Sequence, residues 1–215
     1  MADTVKIPIA REGYPFIVLV AFIAIAAWAF GWERVAALAF LLTIFVTAFF
    51  RDPERKITAR PGDILAPADG RVLAVESLSA SRYFSGACQR VTIFMSVFNA
   101  HVNRIPISGT VEEISYHPGR FLLGFSEKAS LENEQNAVRI RDERGRDMTM
   151  VQIAGLVARR IICYLNKGQA VQAGERFGLI RFGSRMDLYM PPTADILVVP
   201  GDRVKAGLHV VARLQ

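Results

Sequence analysis

The sequence predicts a mostly β protein, an antiparallel β sandwich or barrel, preceded by an N-terminal hydrophobic helical hairpin. Three observations carry this. The apolar excess lies in two uncharged runs before residue 51. From about Pro61 onward, short β-branched runs alternate with Gly, Pro, Asn and Asp. A turn pattern bounded by glycines occurs twice, as Gly168–Gly174 and Gly201–Gly207.

The first element is the hairpin. Residues 13–32 carry no charge, and at 1.5 Å per residue they reach about 30 Å, the thickness of a hydrocarbon core. A second uncharged run, Val35 to Phe50, is somewhat short for a perpendicular span. Gly31-Trp32-Glu33-Arg34 is the expected tip, with Trp28 and Trp32 at an interfacial level. A signal peptide fits less well, because the apolar run is too long and no A-x-A site follows it. A buried hairpin of a soluble protein would show the same pattern. Lys6 and Arg11 precede the first run, Arg51, Arg55, Lys56 and Arg60 follow the second, and the tip has only Arg34. The positive-inside rule then puts both ends in the cytoplasm. Length alone leaves open whether the hairpin crosses or dips into one leaflet. The expected division is a membrane anchor over 1–50 and a second domain over 51–215.

The β domain follows. Expected strands are Arg71–Glu76, Val91–Val97, Val111–Tyr116, Ala137–Arg141, Met148–Ile153, Phe177–Phe182, Met186–Met190, Ile196–Val199 and Val210–Leu214. Helical periodicity is confined to Phe121–Glu132, and Gly155–Leu165 reads equally as helix or buried strand.

Composition narrows the function. The chain has 215 residues, 52% hydrophobic and 21% charged, which excludes a disordered protein. Its net charge of +6 suits nucleic acid or an anionic membrane. The Lys and Arg residues are dispersed, so the hairpin explains the charge better and no nucleic-acid partner is expected. Cys88 and Cys163 are far apart, and only His101, His117 and His209 are available, so neither a disulfide scaffold nor a metal site is expected.

The repeated pattern G-x-x-V-x-A-G resembles the turn-and-strand repeat of biotinyl and lipoyl carrier domains. Its glycines supply positive φ in tight turns. Lys167 is the nearest carrier-type lysine, but it lacks the flanking residues of either site and reads as an exposed lysine.

Gly183-Ser184 separates two strand-like runs in Arg181-Phe-Gly-Ser-Arg-Met-Asp187. Glycine there marks a bend or a close backbone approach, and a serine on such a bend can attack the carbonyl just before it. At this point the chain resembles the short-form phosphatidylserine decarboxylases. Phe182-Gly183-Ser184-Arg185 looks like a variant of that family's Leu-Gly-Ser-Thr self-cleavage motif. Pro67-Ala68-Asp69-Gly70, the segment from Phe94 through His101 to Pro106, and Asn133-Glu134 match other family segments in order and spacing. The resemblance covers residue 51 to the end.

The resemblance implies a self-processing enzyme. Ser184 Oγ would attack the Gly183 carbonyl, giving a β chain of residues 1–183 and an α chain of residues 184–215 held as a heterodimer, with further oligomerisation left open. Ser184 would become an N-terminal pyruvoyl group, the cofactor, with no metal. That group would form a Schiff base with the serine amine of phosphatidylserine, release CO2 and give phosphatidylethanolamine at the cytoplasmic face of the inner membrane. His101 would return the proton to Cα and possess the chemistry to act as base; Asp69 would support self-cleavage.

One departure matters. Long-form members carry His-x-x-His where this chain has His101-Val-Asn-Arg104, and arginine is no base at neutral pH. Either His101 serves both stages or another group assists. Arg104 would instead bind the substrate phosphate or carboxylate. His117 and His209 have no family counterpart. Two other readings stay open: a decarboxylase of another serine phospholipid, such as archaetidylserine, and a non-catalytic membrane-anchored adaptor with a lipoyl-like domain.

Overall fold

The computed structural model describes residues 8–119, 133–155, 160–181 and 184–215. The chain divides into two units, Met1–Glu54 and Arg55–Gln215.

In the first unit, a 3-10 turn at Arg11–Gly13 leads into α1 (Tyr14–Ala29), which packs against α2 (Glu33–Phe49). Pro15 falls in the first turn of α1, where a missing N–H costs no helical bond. Gly31 has φ 73°, the left-handed value that lets the chain reverse between the helices. The turn is tighter than the expected tip, because Glu33 and Arg34 already belong to α2. Thr43 and Thr47 return their hydroxyls to the carbonyls of Ala39 and Thr43 at 2.8 Å, which hides their polar groups within an apolar helix. Val18, Phe22, Ile25, Leu38, Phe40 and Leu41 are each more than 60% exposed. Residues Arg11–Ala29 are long and apolar enough to cross a membrane.

The second unit is antiparallel throughout. Its strands are β1 (Asp63–Leu65), β2 (Gly70–Leu78), β3 (Cys88–Met95), β4 (Val102–Arg104), β5 (Gly109–His117), β6 (Gln135–Arg141) and β7 (Asp147–Ala154). Then come β8 (Ile161–Cys163), β9 (Ala170–Val171), β10 (Arg176–Ile180), β11 (Ser184–Met190), β12 (Asp195–Ile196), β13 (Arg203–Val204) and β14 (Val210–Arg213). One eight-stranded sheet has the order β13-β2-β3-β11-β7-β6-β5-β9; two three-stranded sheets run β1-β14-β12 and β4-β10-β8.

Several expected boundaries shift. β3 stops at Met95, not Val97, because Ser96–Asn99 closes a turn: the Asn99 amide donates to the Ser96 carbonyl, and Asn99 Oδ1 accepts from both the Ser96 amide and hydroxyl. β12 is shorter than expected, and β11 begins two residues earlier, at Ser184. The ambiguous segment contains strand at Ile161–Cys163. β1, β4, β9 and β13 add to the expected strands; at two or three residues they are too short to show alternation. The helix expected over 121–132 lies outside the described residues.

The unit is internally duplicated to a degree the glycine pattern only hints at. Residues 66–72 and 105–111 share Pro-x-x-Gly-x-Val, with Pro67, Gly70 and Val72 matched by Pro106, Gly109 and Val111. A Cβ on Gly70 would run into the Phe94 carbonyl, and one on Gly109 into the Arg141 carbonyl. Gly168 and Gly201 donate to the carbonyls of Val111 and Val72, and Gly174 and Gly207 to those of Ile105 and Ala66. All four have positive φ, between 72° and 105°. The two repeats supply β9 and β13, the two edges of the large sheet. Both of their terminal glycines face Ile57, so the edges approach each other and the sheet curls.

The curl encloses one core. Met186, Leu188 and Met190 of β11 enter it with Ile64, Val91, Ile93, Met150, Phe177 and Val211. The alternate residues of β11 face the other side of the sheet, where Tyr189 packs with Val151, Ile153, Tyr83 and Phe84. There Arg185 and Asp187 form a buried two-point ion pair at 2.7 and 2.8 Å.

Candidate active site

Ser184 opens β11, a central strand flanked by β3 and β7. Its cross-strand partners are Met95 and Ala154. It is fully buried, and its hydroxyl donates to the Met95 sulfur at 3.3 Å. A thioether is a weak acceptor and no base, so this contact orients the hydroxyl without activating it. Ser184 is the first residue in strand register, directly after the point where the sequence places a bend. Gly183 lies outside the described residues.

The other matched segments converge on the same end of the sheet. Gly70 begins β2, beside the end of β3 that pairs with Ser184. On the opposite side, Asn133 donates its Nδ2 to the Ala154 carbonyl at 2.7 Å, and the Ala154 amide donates to the Glu134 carbonyl. The Asn-Glu pair thus holds the residue that partners Ser184 in β7.

Asp69 is buried, and Arg55 donates to both of its oxygens, at 2.6 and 2.8 Å. Its Oδ1 also accepts the Ala206 amide at 2.8 Å, while Arg55 donates to the Ala206 carbonyl. The ion pair therefore ties the Pro-Ala-Asp-Gly turn to the second glycine repeat. In the sequence Arg55 is only one of the charges flanking the hairpin; nothing local marks it as the partner of a residue fourteen positions on.

His101 is buried immediately before β4, and its Nδ1 lies 2.9 Å from the Asn99 carbonyl. A carbonyl can only accept, so Nδ1 carries the proton and Nε2 is the proton-accepting nitrogen of the neutral ring. β4 pairs with β10, Val102 opposite Leu179, and β10 is the strand that leads to Ser184. Arg104 is buried and donates to the Gly174 carbonyl at 2.9 Å, within the closing turn of the first glycine repeat.

His209 accepts the Lys205 amide on Nδ1, a turn contact that closes the end of the second repeat. His117 lines a cavity of about 630 Å³ with Ser81, Tyr83, Arg139 and Thr149, on the face of the sheet opposite Ser184. Among the described residues, no group of three or more His, Cys, Asp or Glu is placed to hold a metal. Met95, which accepts the Ser184 hydroxyl, and Asn103 and Gln152, which follow it in a chain of contacts, carry no chemistry that would single them out in the sequence. Met95 and Asn103 lie within the matched segment, so position is the available signal.

Comparison with known proteins agrees with this convergence. Residues 42–212 match the family described as phosphatidylserine decarboxylase. A phosphatidylserine decarboxylase proenzyme of Burkholderia vietnamiensis is 46% identical over 207 residues, covering 96% of both chains. Proteins of the same name from Ralstonia pickettii and Syntrophotalea carbinolica are 47% and 48% identical, over at least 95% of each chain.

Proposed function

This chain belongs to the phosphatidylserine decarboxylase family, and from that premise we propose that it cleaves itself at Gly183–Ser184 and decarboxylates phosphatidylserine to phosphatidylethanolamine. The observation that carries the reading is Ser184 itself, a fully buried hydroxyl at the head of a central strand with Asn133-Glu134 and the start of β2 on either side. A proenzyme is also what its relatives are named.

Each residue then has a role. Ser184 Oγ attacks the preceding carbonyl; burial keeps water from competing. A serine hydroxyl needs a base, and His101 Nε2 is the candidate. Asp69, held by Arg55, fixes the turn beside β3 and so supports self-cleavage. When present, the pyruvoyl group derived from Ser184 supplies a keto carbon that takes the substrate amine and an electron sink for loss of CO2. Around it, His101 returns a proton to the substrate Cα, and Arg104 contributes to binding phosphate or carboxylate. The anchor is residues 1–50, the catalytic domain 51–215, and the β and α chains stay together as a heterodimer at the cytoplasmic face of the membrane. Because β11 is hydrogen-bonded on both sides, the α chain would remain inside the sheet after the cut.

Intact mass and a denaturing gel test this. The parent should yield fragments 1–183 and 184–215, the smaller with a blocked N-terminus. Ser184→Ala should stay full length and inactive; splitting of that variant at the same bond would remove Ser184 as nucleophile. Deleting residues 1–50 should leave cleavage intact and remove most membrane association. A truncated protein that still floats entirely with vesicles would move the anchor elsewhere.

A further inference from the structure

Linked to Ser184 through the Met95 sulfur, three amide side chains from strands far apart in sequence form a row. Asn136 on β6 donates its Nδ2 to Gln152 Oε1 at 2.9 Å. Gln152 on β7 donates its Nε2 to Asn103 Oδ1 on β4, also at 2.9 Å. Asn103 directs its Nδ2 to the Met95 sulfur at 3.8 Å, the sulfur that accepts the Ser184 hydroxyl. None of the three amides is more than 4% exposed.

The middle amide and the end nearest Ser184 fix the polarity of the row. Gln152 Nε2 also donates to the Ile162 carbonyl at 3.3 Å, and a carbonyl has no proton to give. Turning the Gln152 amide over would set two oxygens against each other. At the serine end the thioether only accepts, so it too requires the N–H side of Asn103. The amides therefore run donor-first towards Ser184 and their dipoles add, with the positive end at the serine. A helix N-terminus attracts anions for the same reason. Buried amides must each be matched to partners, a requirement that aliphatic side chains at these positions would not carry.

We infer that Asn136, Gln152 and Asn103 form an electrostatic positioning chain that favours negative charge developing beside Ser184. This rests on the reading of Ser184 as the self-cleaving nucleophile. In that step Oγ bonds to the preceding carbonyl carbon, its proton goes to the base, and the carbonyl π pair moves onto oxygen. The pair then re-forms the carbonyl, the C–N bond breaks, and the departing amine takes a proton. The oxyanion between those events is what a donor-first amide row stabilises. Asn103 acts through Met95 and the local field, so it is a positioning residue.

The test follows cleavage of freshly made full-length precursor over time. Asn103→Val and Asn103→Thr have the same size and lose the same amide, but only threonine keeps an N–H-like donor in its hydroxyl. Valine should slow cleavage roughly 10–10²-fold, at or below the scale of a direct oxyanion donor, and threonine should recover much of that loss. A folding defect would lower both alike. Gln152→Glu supplies a second readout. Its carboxylate can only accept, so it draws the Asn103 N–H group away from Met95 and turns the Asn103 oxygen towards Ser184. Measured relative to the parent at each pH, so that titration of His101 cancels, cleavage should be slow at high pH and recover as the pH falls and the carboxyl regains a proton to donate. The groups bonded to Gln152 are Asn103, Asn136 and the Ile162 carbonyl, all uncharged. Cys163, bonded to Asn136, has its thiol pKa pushed up by burial, which favours the neutral form. Equal rates for valine and threonine, or a Gln152→Glu defect that ignores pH, overturn the inference. If Ser184→Ala also splits, it is the underlying reading that fails.

Discussion

Asp69 and Ser108 occupy equivalent turns, one in each copy of the duplicated segment. Each closes its turn onto a glycine repeat. Asp69 accepts the amide of Ala206 in the second repeat, and Ser108 Oγ accepts the amide of Ala173 in the first. Beyond that they diverge. Asp69 is buried and paired with Arg55, whereas Ser108 is exposed. The reverse asymmetry appears at the head of the preceding strand. His101 stands before β4 where the first copy has Gly62, a turn glycine with φ 85° before β1. Each half thus carries one chemically equipped position where the other carries a turn residue. Duplication repeats the backbone geometry that both halves need, and side-chain chemistry is free to differ wherever the turn tolerates it.

Substitutions at matched positions test how far that division goes. His101→Gln should lower turnover by roughly 10²–10⁴, the scale of a lost general acid–base group, with single-turnover assays on cleaved protein as the measure. A variant that cleaves and decarboxylates like the parent would return His101 to a packing role. Asp69→Ala should leave Arg55 buried without its partner and cost about 3–5 kcal/mol, along with self-cleavage; Ser108→Ala should cost about 1 kcal/mol, one hydrogen bond, and cleave normally. Urea unfolding of the two variants in a Ser184→Ala background separates stability from processing. Equal losses would mean the halves differ less than their partners suggest.

The glycines should show the opposite behaviour, a loss shared by both halves. Gly70→Ala and Gly109→Ala each force a methyl against a facing carbonyl, and about 1–3 kcal/mol is the usual cost of such overpacking. Similar denaturant midpoints for the two would support the common backbone; a harmless change in one would break it. The smallest effect concerns Asp63, whose counterpart in the second copy is Val102. Burial works to raise the Asp63 pKa, but the Arg60 amide and the Arg213 guanidinium outweigh it and hold the carboxyl below its ordinary value. A depressed folded pKa stabilises above the unfolded value, near 3.9, and that contribution disappears as pH falls through the folded one. Asp63→Asn should therefore be less stable than the parent at pH 7, with the gap closing below about pH 4. Midpoints measured across that range give the sign directly.

Much of the molecule is legible in its residues alone. The hairpin follows from two uncharged runs, and the long strands from local pattern: β5, β6 and β7 lie where β-branched runs stand, and β11 where apolar and polar residues alternate. The glycine repeat announces two tight turns because only positive φ suits them. The larger duplication is also written in the chain, as Pro67-x-x-Gly70-x-Val72 and Pro106-x-x-Gly109-x-Val111, but three shared residues gain meaning only when both segments face equivalent carbonyls. Ser184, His101 and Asp69 stand out in the sequence through the segments that match the family, not through residue type alone.

Tertiary structure decides which of those groups meet which partners. Arg55 pairs with Asp69, Met95 takes the Ser184 hydroxyl, and Asn136, Gln152 and Asn103 align from three strands. No periodicity encodes such contacts, since register across a sheet depends on where every intervening strand and turn begins. A one-residue slip of β7 would turn Gln152 to the other face and break the row. Chain order specifies the donors and acceptors available; the curl of the sheet determines which of them are brought into contact.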